Sequence, residues 1–483
     1  MEKDRKRGVA TNSIILAFVQ CLTMVTGILQ TMILSRALTE AEYGTYSQGM
    51  LVVNFIIPFL LLGMANAITY FSGQTSIDRQ KTIKIIFTMI IFTGSVGAAG
   101  ILCCSKLIQG YFGNPLLAGI LPLAAWLPLL LNLISAYQTL FIAEDMATSI
   151  AIRNAVVAVV QIGIIAVSVL YFHDIRIIFV LLLVMDAVQI IVFSQVFARR
   201  QYRVRPMLIT REISGRILEY SIPMAVSTAI GTISIYMDKL LIGRMMSVED
   251  FALYSNMSKE LPFAFVISSF TTVIMPAFIR MHANGEDEKL KVFWSKYLEL
   301  GILINWIMCG TAIFCAKDLL VFLYSEKYLR GVEVFVVYLT VEMCRFSYFG
   351  IILSTFGNTR GIMMSSLISL VSNFVLNIVL FHLMGMIGPA IASLISIMLM
   401  QVLQIVKSCS LLKCKVYHVF NIKSIVILVV EIIAVGTLVR ALGSHWDVYP
   451  IVRLILCGGF IAGVLLLINT RRILSLIKDI NTL

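Results

Sequence analysis

The 483-residue chain carries a formal net charge of +12, yet only 13% of its residues are charged and 59% are hydrophobic, for a mean hydropathy of +0.94. Soluble domains hold roughly 25% charged residues, so this composition places the chain in a membrane. The apolar segments lack the apolar/polar alternation of a transmembrane barrel, and no stretch between them exceeds about 20 residues, too short to bury a core of its own.

A helix needs about 20 mostly apolar residues to cross a bilayer. On that measure the sequence predicts an all-α polytopic protein of about fourteen spans, centred near residues 22, 58, 97, 130, 161, 187, 231, 267, 304, 344, 372, 399, 433 and 459. The first starts ten residues in, is too long for a signal h-region and lacks an A-x-A-like cleavage site, so it reads as a retained helix. With the N-terminus placed in the cytoplasm, 26 of the 38 Lys and Arg fall in inside segments and 10 in outside ones. That asymmetry satisfies the positive-inside rule and puts both termini in the cytoplasm. Basic loops facing anionic lipid account for the net charge without nucleic acid.

A repeat organises these spans. The run Arg36-Ala37-Leu38-Thr39-Glu40-Ala41-Glu42-Tyr43-Gly44-Thr45-Tyr46-Ser47 shares its layout with Arg244-Met245-Met246-Ser247-Val248-Glu249-Asp250-Phe251-Ala252-Leu253-Tyr254-Ser255, 208 positions later. Each copy lies between the first two spans of its half, as in transporters built from two related halves. Six spans separate the copies, so the halves keep one orientation and the repeat is parallel. The expected domains are an N-terminal six-helix lobe (1–198), a basic cytoplasmic linker (199–216) holding Arg199, Arg200, Arg203, Arg205, Arg211 and Arg216, a C-terminal six-helix lobe (217–416), and appended helices 13 and 14 (417–483).

Nothing in the loops points to chemistry. There is no phosphate-cradling glycine loop and no paired His on a helix face. The nine cysteines lack metal spacing, most lying within spans as small apolar residues, and the five histidines are scattered. The expectation is a protein that is not an enzyme, with no cofactor and no metal.

Charge within spans is the remaining signal, because each such group costs about 2.5–3.5 kcal/mol on insertion scales and tends to be functional. Asp186 sits mid-span with no sequence-local partner. Glu342 and Arg345 lie three apart on one helix face, either a self-neutralising packing pair or part of a substrate site. Asp238-Lys239 and Lys259-Glu260 either form a network across adjacent helices or serve function, and Lys259 has the further option of snorkelling. Arg36, Arg153 and Arg360 guard span ends, as interface anchors or as ligands, and Glu431 lies in the thirteenth span. Asn54, Gln138, Asn373 and Asn377 are helix glue or pathway. Pro58-Phe59 and Pro262-Phe263 fall in the second span of each lobe, and Pro122, Pro128, Pro223, Pro276 and Pro389 interrupt others, which a rocking mechanism would use.

The run from Ser35-Arg36-Ala37-Leu38 to Tyr43-Gly44-Thr45-Tyr46, then Leu62-Gly63-Met64-Ala65-Asn66-Ala67, resembles the opening of polysaccharide-exporting flippases of the Wzx type. The run Tyr236-Met237-Asp238-Lys239-Leu240-Leu241-Ile242-Gly243-Arg244 is similar to their seventh helix. The resemblance covers the whole topology, through short motifs, and extends to the superfamily of multidrug extruders and lipid II flippases. It implies a flippase of undecaprenyl-diphosphate-linked oligosaccharide in a bacterial cytoplasmic membrane, working by alternating access, for which a monomer suffices and with which polysaccharide polymerase machinery would act. A diphosphate entering low dielectric needs cations along its path, and Arg36, Arg153, Lys239, Lys259 and Arg345 are the expected contacts. Asp186, Asp238 and Glu342 would pair these cations between substrates or carry a coupling proton or sodium ion. The appended hairpin would offer an apolar groove for the lipid tail. The alternatives are a cation-coupled multidrug extruder, which usually has twelve spans and acidic cavity residues, a polysaccharide polymerase or ligase, which needs a long outer loop, and a membrane scaffold.

Overall fold

The computed structural model describes residues 22–72, 79–144, 146–199, 210–261, 263–443, 446 and 448–482. These residues are almost entirely helical and contain no strand. Among the described residues eleven helices are long and apolar enough to cross a membrane, and each coincides with one of the expected spans. Of the other three, the first is described only from residue 22 and is helical to 37, while the eighth and tenth are broken.

Outward faces follow from composition. Ile152, Val156, Val159 and Val160 on Ser149–Phe172, and Val180, Val184, Val188 and Ile191 on Ile175–Ala198, stand exposed at helical spacing. Apolar stripes of this size on a membrane helix face lipid.

The chain forms two compact units, Met1–Leu253 and Tyr254–Leu483. In the first unit, Thr39 starts the helix Glu40–Leu61 with a capping box: its hydroxyl accepts from the Glu42 backbone N–H at 3.2 Å, and Glu42 accepts from the Thr39 N–H at 3.0 Å. That helix runs through Pro58 and stops at Leu62-Gly63, both with positive φ (48° and 68°), before Met64–Ser72 resumes. Gly63 is doubly constrained, because a Cβ there would lie 2.4 Å from the Ser221 carbonyl oxygen. The long helix Arg211–Met245 thus approaches closely, and at the residue before Ser221 Tyr220 stacks on Tyr70 at 4.2 Å.

The element order recurs. Arg79–Cys103 is followed by an eight-residue helix, Ser105–Phe112, and a 3-10 turn, Pro115–Gly119; Asp287–Phe314 is followed by an eight-residue helix, Ala316–Leu323, and a 3-10 turn, Glu326–Gly331. Each turn is tied to the repeated sequence motif. Asn114 Nδ2 donates to Thr45 Oγ1 at 3.0 Å and Gln48 Oε1 at 2.8 Å, all three buried. In the second unit the Tyr324 hydroxyl donates to the Asn256 carbonyl at 3.0 Å, and Tyr254 shares a 2.9 Å hydrogen bond with Tyr338. The motif is therefore a buried staple holding the start of each second span to the turn that follows the third.

The core of the second unit forms around Phe278, Phe293, Trp294 and Tyr297, and Leu428, Ile432, Ile461 and Leu465 of the last two helices belong to it. Gly310 and Gly436 permit that packing, since a Cβ would fall 2.7 Å from Ile432 and 2.3 Å from Phe314 respectively. Ion pairs reinforce it at several levels: Lys296 with Asp479 at 2.8 Å, Arg472 with Glu299 at 3.6 Å, and Arg453 with Asp318 at 2.5 Å.

Pro58, Pro223 and Pro276 lie inside continuous helices, and Pro122 and Pro128 stand at helix starts, where the missing N–H costs nothing. Pro262, Arg200, Arg203, Arg205 and His445 lie outside the described residues.

Candidate functional site

The tenth span contains the most pronounced departure from regular helix. Val332–Cys344 ends at the expected centre of the span, residues 345–350 are not helical, and Ile351–Thr355 resumes the turn. Ending a helix in lipid strands carbonyls that have no water to meet, and here neighbouring helices supply the donors. Asn305 Nδ2 donates to the Glu342 carbonyl at 2.7 Å and the Met343 carbonyl at 3.3 Å. Trp306 Nε1 donates to the Met343 carbonyl at 2.9 Å, and Gln401 Nε2 to the Cys344 carbonyl at 2.8 Å. Gly301 lets the irregular strip lie close, since a Cβ would sit 2.5 Å from the Phe346 carbonyl oxygen.

Arg345 occupies the position just past this helix end, where the negative end of the helix dipole favours a cation. Its Nη1 bridges two carboxylates, Glu260 at 2.5 Å and Glu342 at 3.3 Å. The Glu342 side chain is 7% exposed, Arg345 38% and Glu260 60%, so the guanidinium faces open space on one side and a buried carboxylate on the other. Glu342 and Arg345 meet as the sequence suggests. Glu260 joins them from the non-helical residues 258–261 after Val248–Met257, which also hold Lys259.

In the first unit Arg153 and Asp186 meet through an intermediary. Arg153 donates to the Gln189 side-chain oxygen, and Gln189 Nε2 donates to Asp186 Oδ1 at 2.9 Å. Asp186 is 3% exposed and Gln189 9%. Asp186 therefore has a sequence-local partner after all, one helical turn on, because residues three apart share a face. Arg153 also lies 5.5 Å from the Phe193 ring and hydrogen-bonds Asn154 at 2.8 Å.

Asp238 is buried and accepts the Lys239 backbone N–H at 2.8 Å, while the Lys239 ammonium lies 5.6 Å from the Tyr236 ring. Arg36 is exposed near the end of the helix over 22–37. Its repeat counterpart, Arg244, donates to the carbonyls of Gly110 and Tyr111 at 3.1 and 3.2 Å. Glu431 accepts from Asn469 at 2.8 Å. Sequence reading missed Gln189, Asn305, Trp306, Gln401 and the Arg453–Asp318 pair; polar side chains within apolar spans were the available signal. No group of three or more metal-ligating side chains occurs among the described residues.

The second unit also holds a cavity of about 620 Å³ beside the appended helices, walled by Phe314, Val336, Val337 and Ile461 and edged by Arg440 and Arg453.

The family model described as polysaccharide biosynthesis protein matches residues 33–333, more than half of the chain. The chain belongs to that family. No curated protein matches it. Among solved structures it is similar to the lipid II flippase MurJ in an inward closed conformation, with 13% identity and a TM-score of 0.75 over 95% of this chain and 100% of that one. It is also similar to a multidrug resistance MATE transporter of the MOP superfamily in an inward-facing conformation, at 10% identity and TM-score 0.62 over 83% of this chain and 98% of that one. A MOP superfamily transporter from Pyrococcus furiosus aligns at 12% identity and TM-score 0.55 over 84% of this chain and 96% of that one. The chain is thus a multi-pass membrane protein of the polysaccharide biosynthesis family with the fold of MOP superfamily transporters.

Proposed function

We propose that this protein is a flippase that carries undecaprenyl-diphosphate-linked oligosaccharide across a bacterial cytoplasmic membrane for surface polysaccharide synthesis. The observation that carries the reading is Arg345, a cation held at the expected centre of a span beside a broken helix, in a chain whose family builds polysaccharide. A diphosphate crossing lipid needs such a group, and Arg presents a fork that matches phosphate oxygens. Arg36, Arg153, Lys239 and Lys259 are further proposed contacts. Asp186, Asp238 and Glu342 either neutralise these cations when substrate is absent or take up a coupling proton or sodium ion.

In this reading lobes 1–198 and 217–416 alternate access about the basic linker 199–216, with both termini cytoplasmic, and a monomer suffices. Helices 417–483 contribute the cavity of about 620 Å³, whose apolar wall suits part of a prenyl tail. That the fold likeness covers 95% of this chain with the lipid flippase and 83% with the multidrug transporter supports the lipid reading.

The test is the sidedness of lipid-linked oligosaccharide in cells lacking the gene. Complete repeat units that accumulate shielded from an external glycosidase, and become accessible when the gene is restored, are the expected result. Units that reach the outside unpolymerised would make the protein a polymerase component. An unchanged pool with new sensitivity to cationic dyes would make it a drug extruder.

A further inference from the structure

A second cavity, of about 410 Å³, lies in the first unit. It is walled by Val52, Phe55, Gly100, Ile108, Phe112 and Leu240, from four different helices. Its lining is almost wholly apolar, so water has no partners there. At Gly100 the wall is open, with nothing within 4 Å of where a Cβ would be. Close-packed protein does not leave gaps of this size between spans; in a membrane, hydrocarbon is the available filler.

The mouth is not apolar. Tyr111 lines the cavity, its hydroxyl donating to the Leu240 carbonyl at 3.2 Å. Over its ring, at 5.8 Å, lies the Arg244 guanidinium, pinned by the carbonyls of Gly110 and Tyr111. Carbonyl bonds orient the guanidinium but do not neutralise it. An exposed, oriented cation thus stands at the rim of an apolar slot, near the end of the helix Arg211–Met245. Gly243 contributes by letting Phe112 close in, since a Cβ there would fall 2.7 Å from that ring.

We propose that this slot binds one anionic phospholipid of the surrounding bilayer, an acyl chain between Phe55, Gly100 and Leu240 and the phosphate on Arg244. The slot lies between Leu240 of Arg211–Met245 and three earlier helices, so the lipid acts as a wedge that holds them at their present separation. The inference is independent of what the protein transports.

Native mass spectrometry of the full chain in mild detergent, titrated with phosphatidylglycerol or phosphatidylcholine of identical chains, tests it. The wild type should bind one phosphatidylglycerol about tenfold more tightly than phosphatidylcholine, as one charge-assisted contact implies. Arg244→Gln should abolish that preference while leaving chain binding. Gly100→Leu grows into open space, so folding is retained, and should weaken both lipids about tenfold or more, since displacing two buried methylenes already has that effect. Gly163→Leu, at an equally open helical glycine, should bind as wild type. Gly100→Leu binding like wild type, or Arg244→Gln retaining the phosphatidylglycerol preference, would overturn the proposal.

Discussion

Replacing Arg345 by Met separates a structural counter-ion from a substrate ligand. The change leaves Glu342, 7% exposed at its side chain, without its only described cation. Removing one partner of a fully buried pair costs about 3–5 kcal/mol, because the survivor stays charged in low dielectric. Arg345 is 38% exposed, so its pairing is partly screened, and about 2–3 kcal/mol is the better expectation. Glu260, at 60% exposure, adds little. A loss of that size lowers the melting temperature by roughly 4–10 °C, readable by fluorescence-detected size exclusion after heating in detergent. The double variant Arg345→Met with Glu342→Gln removes the stranded charge at constant shape and should recover most of the lost stability. Transport distinguishes the two roles. If Arg345 meets the diphosphate, the double variant is stable yet leaves lipid-linked oligosaccharide shielded inside, and Arg345→Lys transports poorly because an ammonium lacks the fork. A double variant that is both stable and fully transporting would refute the substrate role and leave Arg345 as the counter-ion of Glu342.

Three further outcomes are expected. Gly44→Ala places a Cβ 2.3 Å from the Val248 carbonyl oxygen, and should destabilise by about 1–3 kcal/mol through forced displacement, whereas Gly163→Ala, in open space, should be neutral or stabilising in the same melt. Gln401→Leu removes the side-chain donor to the Cys344 carbonyl, and should cost about 1–3 kcal/mol with a larger loss of transport activity than Gln138→Leu. Arg453→Ala strands Asp318, 15% exposed at its side chain, and should speed hydrogen exchange over 422–443 and 450–480, an effect that Arg453→Ala combined with Asp318→Asn largely reverses.

How much of this was legible follows from where each free-energy term originates. Spans were readable because lipid demands about 20 apolar residues in sequence, a local property; all fourteen expected centres fall on helix, with residues 258–261 and 345–350 non-helical within the eighth and tenth expected spans. Those breaks were not readable, since what makes the tenth affordable is Asn305 and Gln401, 37 and 57 residues from the carbonyls they satisfy. A proline removes one N–H, which a packed helix tolerates at Pro58, Pro223 and Pro276, whereas Leu62-Gly63 needs positive φ. The repeated motif was visible as a repeat, but its work as a buried staple depends on Asn114 and Tyr324, outside the motif. Charges were conspicuous because the spans contain so few, while their partners were set by topology. Gln189 lay within one turn of Asp186 and could have been chosen from helical spacing alone, but Glu260 reaches Arg345 across 85 positions. A lone charge in a span therefore announces that a partner exists, and only the packing of helices decides which residue it is.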